Sequence, residues 1–552
     1  MNKVLTGIKL AGVACALLAT PLYAQTIALK NVNLVDVEKL KIDSGQTIVI
    51  EDNKIKKIIN NKKLRLKKDV VTIDMAGKYV IPGLIDTHVH HATVPDGYDN
   101  DRMTRERLRK LLRGGVTSVR DMGGDTRALA SLKRRAEIDS IQSPDIFYSV
   151  IIGGQEFFSD PRTVASALGR TPGQVDWMRA VDEYTNFDEV MLKALGTGAT
   201  GIKIYAKVPA NVVKMLEKAA KKHGLKVWAH AFVGPARPID IVKAGVETIS
   251  HAPDLSAHVV SNFYDLRRKG KHITEEQQKE SFEFDRYQPL FEALKEHGTI
   301  LDSTLTVFNK HQAGRGKRGK LMHDWGIAFT KLAHEKGIKV SVGTDSTSDG
   351  VGVDYPLVQH EMQLMVEQAG FTPLEALRSA TMIGAEVIGI ADTHGEIEEG
   401  KVANLVVLNE DPSKDIKHLM DIAHVIKNGQ FVYLGDDKRL PFVSAKKSNG
   451  YLWMSGQIGN LPSTFTLAGK DIKSQMTQAM KNIGTVLQEH ELGYSDIVKC
   501  TLMLADIEDW PAANEAYKPF FDTYPTRSAF STNGLALDAK VEVECLAGAV
   551  VE

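Results

Sequence analysis

The chain alternates strand-like and helix-like segments eight times between residues 83 and 385, and this alternation limits the possible folds more than any other feature. Amphipathic stretches such as residues 212–223 and 327–336 separate the strand-like runs. The predicted strands are residues 80–85, 116–120, 146–152, 201–206, 226–230, 248–251, 299–305 and 339–344. Eight strand–helix units over about 300 residues predict a (β/α)8 TIM barrel of the α/β class.

Residues with metal-ligand chemistry stand at the carboxyl ends of these predicted strands. His88 and His90 follow the first strand one residue apart, so both rings leave it on the same side. Further candidate ligands end or follow strands four, five, six and eight: Lys203, His230, His251 and Asp345. Because catalytic side chains converge at this end of a barrel, a shared metal site explains the set better than isolated polar residues do.

Lys203 is the informative member of this set. Alternation along its strand points Lys203 and Tyr205 into the barrel, where an unpaired ammonium is costly to bury. One interpretation is that the lysine reaches upward to solvent or to an anionic substrate. The other is chemical: carbon dioxide converts the amine to a carbamate, an acidic oxygen ligand able to bridge two metal ions.

The regions on either side of the barrel predict one small β domain built from both ends. Short strand-like runs occur at residues 27–35, 47–50, 54–59, 70–73, 403–408 and 424–433. Asn428 and Gly429 mark a hairpin turn in the last run. Neither set holds enough apolar surface for its own core, so residues 25–82 and 386–436 are predicted to form a composite β-sandwich. The barrel, residues 83–385, is inserted between them.

A short charged linker at residues 435–439 precedes a change in composition. After it, residues 441–552 are predicted to form a separate α+β domain. Its strand-like runs are residues 451–454, 498–504 and 541–549, and its helix-like stretches are residues 472–489 and 510–521.

Residues 1–24 have the charged, apolar and small-residue order of a secretory signal peptide. We therefore expect cleavage after Ala24 and a periplasmic or secreted location. Only Cys500 and Cys545 remain after cleavage, which excludes a disulfide framework. We expect both to be buried thiols unless their strands are neighbours.

The charges of the chain balance, with 69 basic and 69 acidic side chains. Such a balance gives no support to a nucleic acid or an anionic membrane surface as the partner. The expected partner is a small-molecule substrate, without stable membrane insertion.

Residues 26–436 resemble the amidohydrolase superfamily, nearest its imidazolonepropionase-like branch. The matching stretches are residues 82–90, 115–121, 343–345 and 395–406. The resemblance implies two divalent metal ions, expected to be zinc, although manganese, iron or cobalt would suit the same ligands. The implied ligands are His88, His90 and Asp345 for one ion, His230 and His251 for the other, and carboxylated Lys203 as the bridge.

The reaction that this resemblance implies is hydrolysis of C–N bonds in amides or cyclic amides. A hydroxide bridging the two ions attacks the scissile carbonyl, which a metal ion polarises. Asp345 is the predicted catalytic residue, because it can take the nucleophile's proton and pass it to the departing nitrogen. The alternatives are a dipeptidase or acyl-amino-acid hydrolase, a lactonase- or phosphotriesterase-like hydrolase and, in another class, an inactive binding or scaffold protein.

The substrate contacts are predicted from position alone. Arg120, Tyr205 and Arg237 flank the ligand strands, where packing or surface ion pairs explain them equally well. Dipeptide-cleaving relatives tend to carry a tyrosine two residues after the fifth-strand histidine, and this chain has Phe232 there. That departure weakens the dipeptidase alternative.

Residues 441–552 resemble the RidA/YjgF family, through stretches 451–459, 478–483, 514–517, 525–528 and 541–544. In deaminating members an arginine at the position of Arg527 binds the substrate carboxylate, and a glutamate at the position of Glu542 helps water attack the imine. The resemblance implies an enamine or imine deaminase that forms a trimer with sites between subunits. The alternative is a module that binds small carboxylates or only assembles the protein.

Overall fold

The computed structural model describes residues 26–67, 69–91, 100–347 and 356–548. The predicted signal peptide, residues 1–24, lies outside the described residues. Five strands precede the barrel: β1 (Ile27–Asp36), β2 (Lys41–Glu51), β3 (Lys54–Asn60), β4 (Val71–Asp74) and β5 (Tyr79–Pro82). Their apolar side chains, such as Leu29 and Ile48, are fully buried in a small core to which Leu461 and Ala468 of the C-terminal segment also contribute.

The barrel follows directly. Its strands, with one short hairpin (β9 and β10), are β6 (Leu84–Val89), β7 (Val116–Asp121), β8 (Asp145–Gly153), β9 (Gln174–Val175), β10 (Met178–Ala180), β11 (Gly201–Ile204), β12 (Lys226–His230), β13 (Thr248–Ser250), β14 (Ile300–Asp302) and β15 (Val340–Ser341). Eight of them run parallel in the order β6, β7, β8, β11, β12, β13, β14, β15. The segment after β15 returns to β6, where Thr87 N–H donates to Val342 O at 2.9 Å and Asp345 N–H to His88 O at 2.8 Å. The predicted (β/α)8 barrel is confirmed.

Helices surround this barrel. They are α1 (Asp101–Arg113), α2 (Thr126–Glu137), α3 (Pro161–Ser166), α4 (Phe187–Gly196), α5 (Ala210–Lys222), α6 (Pro238–Lys243), α7 (Phe263–Arg268), α8 (Glu275–Glu280), α9 (Gln288–His297), α10 (Leu305–Gly314), α11 (Gly316–Glu335), α12 (Leu357–Ala369), α13 (Pro373–Ser379) and α14 (Met382–Ile388). The sequence sets their starts and faces: the Asn100 side chain caps α1 by accepting from Met103 N–H, and α5 buries Val212 and Leu216. None of the described helices combines the length and apolar composition that a membrane span requires.

The chain then returns to the first sheet. Three further strands, β16 (Leu405–Leu408), β17 (Ile422–Lys427) and β18 (Gln430–Phe431), pair beside β5 in the order β18, β17, β16, β5, β1, β2, β3, with β4 attached to β1. Strands from both ends of the chain therefore share one eight-stranded sheet. Asn428 and Gly429 have φ of 50° and 74°, the left-handed conformation of the predicted two-residue hairpin turn.

The prediction of one strand over residues 80–85 is wrong. β5 belongs to the composite sheet and β6 to the barrel, and only Gly83 separates them. Gly83 N–H donates to Asn404 O at 2.8 Å, and a Cβ at Gly83 would lie 2.2 Å from Thr117 Oγ1. The barrel strand therefore begins at Leu84 and carries His88 within it.

The C-terminal domain is an α+β unit, as predicted. Its elements are β19 (Ala445–Ser448), β20 (Tyr451–Met454), β21 (Gln457–Ile458), α15 (Ile472–Glu489), β22 (Ile497–Leu504), α16 (Trp510–Tyr517), β23 (Thr526–Ser531) and β24 (Val541–Ala547). The strands are ordered β19, β20, β24, β22, β23, and α15 and α16 pack on one face. Cys500 and Cys545 stand opposite each other on neighbouring β22 and β24 and form a disulfide. The two strands are neighbours, which is the condition under which the sequence allowed the two cysteines to pair.

The C-terminal domain is docked on helix α1 of the barrel. Arg109 Nε lies 3.1 Å from Glu489 Oε1, and Arg113 Nη2 lies 2.7 Å from Glu489 Oε2. Arg102 pairs with Glu491 at 3.2 Å. These arginines stand on one face of the helix and meet the carboxyl end of α15, so ion pairs supplement the covalent linker.

Candidate metal centre

His88 lies within β6 and is 1% exposed. Its Nδ1 is 2.7 Å from Asp302 Oδ2, at the end of β14, and its Nε2 is 3.5 Å from Asp345 Oδ1. An ionised carboxylate can only accept, so Nδ1 carries the proton and Nε2 has a free lone pair. Asp302 thus orients His88 in the way that outer carboxylates orient metal-bound histidines.

Asp345 follows β15 and faces two histidines. Its Oδ1 lies 3.1 Å from His90 Nε2 as well as 3.5 Å from His88 Nε2. A φ of 50° aims the side chain there. Burial opposes ionisation, but the neighbouring histidines hold the pKa of Asp345 below its usual range, so the group is an anionic oxygen donor.

His251 and His230 complete the histidine cluster. The His251 ring lies 5.1 Å from that of His88 and 4.7 Å from that of His230, and His251 Nδ1 is 2.9 Å from Thr304 Oγ1. One ligand atom each from His88, His251 and Asp345 lies within 4.8 Å of the others, a group that could hold a metal ion. This group combines His88 and Asp345, which the resemblance assigns to one metal ion, with His251, which it assigns to the other.

The protonation states suit metal binding. Burial lowers the pKa of His88 to about 4 and that of His251 to about 3, and it holds the pKa of His230 well below the ordinary value. These rings are therefore neutral near pH 7, as metal ligands must be. His90 differs: burial opposes its charge, but contact with Asp345 raises its pKa above 6.5.

Lys203 on β11 is fully buried beneath the histidines. Its Nζ donates to Ser250 Oγ at 2.6 Å, and Ser250 Oγ donates to Asp302 Oδ2 at 2.9 Å. Burial lowers the pKa of Lys203 to about 7, so a neutral amine, the form that reacts with carbon dioxide, is accessible at neutral pH. Neutral imidazoles, an ionised carboxylate and a carbamate-forming amine together fit divalent metal ions.

Of the residues predicted to contact substrate, Arg120 lies inside the barrel and Arg237 lies at the surface. Arg120 is fully buried, with Nη2 3.3 Å from Asp302 Oδ2 and its guanidinium 4.6 Å from the Trp228 ring. It supports the ligands from inside the barrel, and its position does not support a substrate contact. Arg237 is half-exposed and pairs with Asp240 at 3.3 Å on the first turn of α6.

Tyr205 forms a wall beside the histidines. Its ring lies 4.8 Å from that of His230 and stacks on Phe157 at 5.4 Å, and its hydroxyl donates to Met122 O at 2.6 Å. Phe157 belongs to the long segment after β8, where it packs on a small apolar cluster that includes Trp177.

The sequence did not predict a role in the site for two charged residues, Asp302 and Arg162. Asp302 lies inside a predicted apolar strand, and an acid buried in such a run was an available signal. Arg162 is on α3, pairs with Asp160 Oδ2 at 2.9 Å and is 75% exposed. That pairing raises the pKa of Arg162, because the Asp160 carboxylate stabilises the charged guanidinium. An isolated surface arginine carries no pattern that sequence could reveal.

The C-terminal site residues do not meet within one chain. Arg527 on β23 is in register with Cys500, and its guanidinium lies 4.9 Å from the Tyr517 ring on the helix-covered face. Glu542 is in register with Met503 on the opposite face, where a Cβ on Gly456 would lie 1.9 Å from Glu542 Oε1. Burial and nearby Glu544 raise the pKa of Glu542.

Comparisons with known proteins follow this division. The Amidohydrolase family model matches residues 79–432, and the Endoribonuclease L-PSP model matches residues 437–549. Reactive Intermediate Deaminase A, chloroplastic, from Arabidopsis thaliana is 37% identical over 108 residues, which are 19% of this chain and 58% of the relative. The 2-iminobutanoate/2-iminopropanoate deaminase of Homo sapiens is 33% identical over 108 residues, 19% of this chain and 79% of the relative.

The solved structure of a Xaa-Pro dipeptidase with bound methionine superposes with a TM-score of 0.58. It is 22% identical and covers 74% of this chain and 100% of its own. At that identity the similarity shows the fold. Together with the family matches, it shows that this chain belongs to the amidohydrolase family, as a hydrolase with a RidA-type domain fused to its carboxyl end.

Proposed function

We propose that this protein is a binuclear metal-dependent amidohydrolase that cleaves C–N bonds in amides or cyclic amides. The convergence of the histidine cluster, Asp345 and Lys203 at one end of the barrel carries the proposal. His88, His90 and Asp345 would hold one ion, expected to be zinc, and His230 and His251 the other, with carboxylated Lys203 between them.

The residues divide the work of hydrolysis. Two divalent ions here would lower the pKa of a water molecule and polarise the scissile carbonyl. Asp345, held ionised, accepts the proton of the attacking water and delivers it to the departing nitrogen. Asp302 fixes the His88 ring, and the Tyr205 ring packs against the His230 ring.

The test is metal analysis followed by a substrate screen. Full-length protein is purified with bicarbonate, its metal content is measured, and it is offered amides, cyclic amides, acyl-amino acids, dipeptides, lactones and phosphotriesters. We expect about two ions per chain and turnover of amides. Turnover of lactones or phosphotriesters alone would favour that alternative, and a metal-free protein without turnover would favour a scaffold.

For the C-terminal domain we propose imine deamination in an oligomer, with the trimer as the expected form. Arg527 would bind the substrate carboxylate, and Glu542 would help water attack the imine. Because these residues lie on opposite faces of one sheet, a site that uses both needs a second copy of the chain.

Mixing two inactive variants tests this requirement. Arg527→Ala and Glu542→Gln chains are each assayed for ammonia release from a freshly generated 2-imino acid, and then mixed one to one with subunit exchange. With random assembly, about a quarter of the intersubunit sites hold both native residues, so about a quarter of the activity should return. No recovery in mixed oligomers would contradict shared sites.

We also propose that the chain is exported to the periplasm or secreted. The signal-like order of residues 1–24 supports export, and the Cys500–Cys545 disulfide suits an oxidising compartment. Amino-terminal sequencing of the mature protein from a periplasmic fraction should give Gln25 as the first residue.

A further inference from the structure

The hydrolase domain and the RidA-type domain are present on this chain in a fixed one-to-one ratio. The two domains are docked through Glu489, which pairs with Arg109 and Arg113, and these three side chains are only 17–23% exposed. Helix α1, which carries the arginines, is the first barrel helix after the strand of His88. Docking keeps Arg527 and Glu542 of this chain, each part of a site that another copy completes, at high effective concentration for a molecule that leaves the barrel.

The residues of the C-terminal site indicate which product of the barrel could be its substrate. A fork such as that of Arg527 binds a carboxylate, and Glu542 can activate water toward a neighbouring electrophilic carbon. A 2-imino acid offers both groups. Such imines hydrolyse on their own in water, so an enzyme site for them is useful where they are released nearby.

Most amide hydrolysis cannot supply an imine, because it releases a saturated amine. An amide whose nitrogen is bonded to a carbon–carbon double bond instead releases an enamine, and an enamine becomes an imine. We propose that the barrel accepts N-acylated α,β-dehydroamino acids with a free carboxylate, and that the C-terminal domain deaminates the 2-imino acid that this cleavage yields. The proposal rests on the amidohydrolase function above and names its substrate class.

Side chains at the carboxyl end of the barrel suit the two parts of this substrate, its flat conjugated system and its carboxylate. An N-acyl dehydroamino acid is flat and conjugated, and the Tyr205 ring, which stacks on Phe157, lies 4.8 Å from the ring of His230. Its carboxylate needs a cation. Arg162 lies in the same segment as Phe157, and its exposed guanidinium, which pairs with Asp160 at 2.9 Å, has further N–H donors for a carboxylate.

The two steps balance without an oxidant or reductant. In the barrel, water adds to the acyl carbon, the C–N bond breaks, and the products are an acyl carboxylate, a proton and a 2-amino-2-alkenoate. The enamine then moves a proton from nitrogen to its β-carbon and becomes a 2-imino acid. At the second site another water adds to the imine carbon, the C–N bond breaks, and a 2-oxo acid and ammonia leave. The ammonia takes up the proton from the first step.

The experiment uses the metal-loaded full chain and a paired substrate set. The same acyl groups, acetyl, glycyl and phenylacetyl, are carried by 2-aminoacrylate or by alanine, and released acyl acid and pyruvate are measured. Semicarbazide is added to trap free imine, and its slower condensation with the product pyruvate is measured separately and subtracted. We expect acyl acid from the 2-aminoacrylate series, with a trapped fraction that rises at least threefold when Glu542→Gln replaces the wild type.

Each outcome decides between the proposals. Cleavage of alanine amides without cleavage of 2-aminoacrylate amides would overturn the inference and leave the amidohydrolase function intact. An equal trapped fraction in the wild type and Glu542→Gln would overturn the coupling between the domains. Failure with both series and with every other amide would overturn the amidohydrolase function itself.

Arg162→Ala tests the carboxylate contact. We expect its KM for the 2-aminoacrylate substrate to rise about tenfold, the loss of one charge-assisted hydrogen bond, while KM for the carboxamide form of that substrate changes little. Arg170→Ala, at an exposed arginine of the same segment, is the matched control. An equal change for both substrate forms would contradict the assignment.

Discussion

His88 Nδ1 lies 2.7 Å from Asp302 Oδ2, and this contact decides which ring nitrogen faces Asp345. The same carboxylate accepts from Ser250 and lies 3.3 Å from Arg120. Asp302 therefore positions His88, Ser250 and Arg120, although it is not itself a predicted metal ligand.

Replacing Asp302 should weaken metal binding. Asp302→Asn can still accept from one partner but no longer supplies charge to His88, so we expect the metal dissociation constant to rise about 10- to 100-fold. Chelator competition with elemental analysis measures it. Asp240→Asn, at a partly exposed acid paired with Arg237, is the control, and equal affinities in both variants would contradict the role.

Lys203→Ala should remove the proposed bridging ligand. We expect the metal content to fall from about two ions per chain to one or fewer, because no other acidic oxygen replaces the carbamate. Carbon-13 NMR after incubation with labelled bicarbonate should show a carbamate signal in the wild type that the variant lacks. Lys207→Ala, at a lysine paired with Glu156, should keep both the metal and the signal.

Asp345→Asn should separate binding from turnover. The amide oxygen still occupies the ligand position, so we expect much of the metal to remain. The proton relay is lost, and kcat should fall by about a hundredfold to ten-thousandfold. Parallel metal analysis and steady-state kinetics test this, and near-normal turnover would remove Asp345 from the catalytic role.

His424 should make the stability of the composite sheet depend on pH. Burial lowers the pKa of His424 to about 4, from an ordinary value of 6.5. The folded state therefore favours the neutral ring, and its full contribution is present above pH 6.5 and is lost as the pH falls through 4. The loss is at most about 3 kcal/mol. Urea unfolding of the wild type and His424→Leu between pH 7 and 4 should show a smaller decrease in the variant.

Glu489→Lys should loosen the contact between the C-terminal domain and helix α1, while Leu461 and Ala468 still pack against the composite sheet. The new cation repels Arg109 and Arg113, and each partly buried ion pair contributes about 1 kcal/mol at most. We expect a larger radius of gyration by small-angle scattering and faster proteolysis near residues 435–440. Arg113→Glu should partly restore docking, and Glu508→Lys, at an exposed acid elsewhere in the domain, should have no effect.

The sequence predicted the barrel because β-branched runs ending in histidine, lysine or aspartate recur at regular spacing. It failed where an apolar run continues through a change of sheet, as at residues 80–85. It also missed β19 and β23, because edge strands such as Ala445–Ser448 are polar and lack strand alternation. The roles of Asp302 and Arg120 depend on which strands become neighbours, and one strand's sequence does not contain that information.

Gly83 has a mechanical consequence. It is the single residue between β5 and β6, its N–H is bound to Asn404, and Thr117 fills the space that a side chain would need. A hinge requires residues that are free to change φ and ψ, and this junction offers none. We therefore expect the composite sheet and the barrel sheet to move as one unit at this junction. Motion that admits substrate would then come from the segments that follow the barrel strands, such as the one after β8 that carries Phe157.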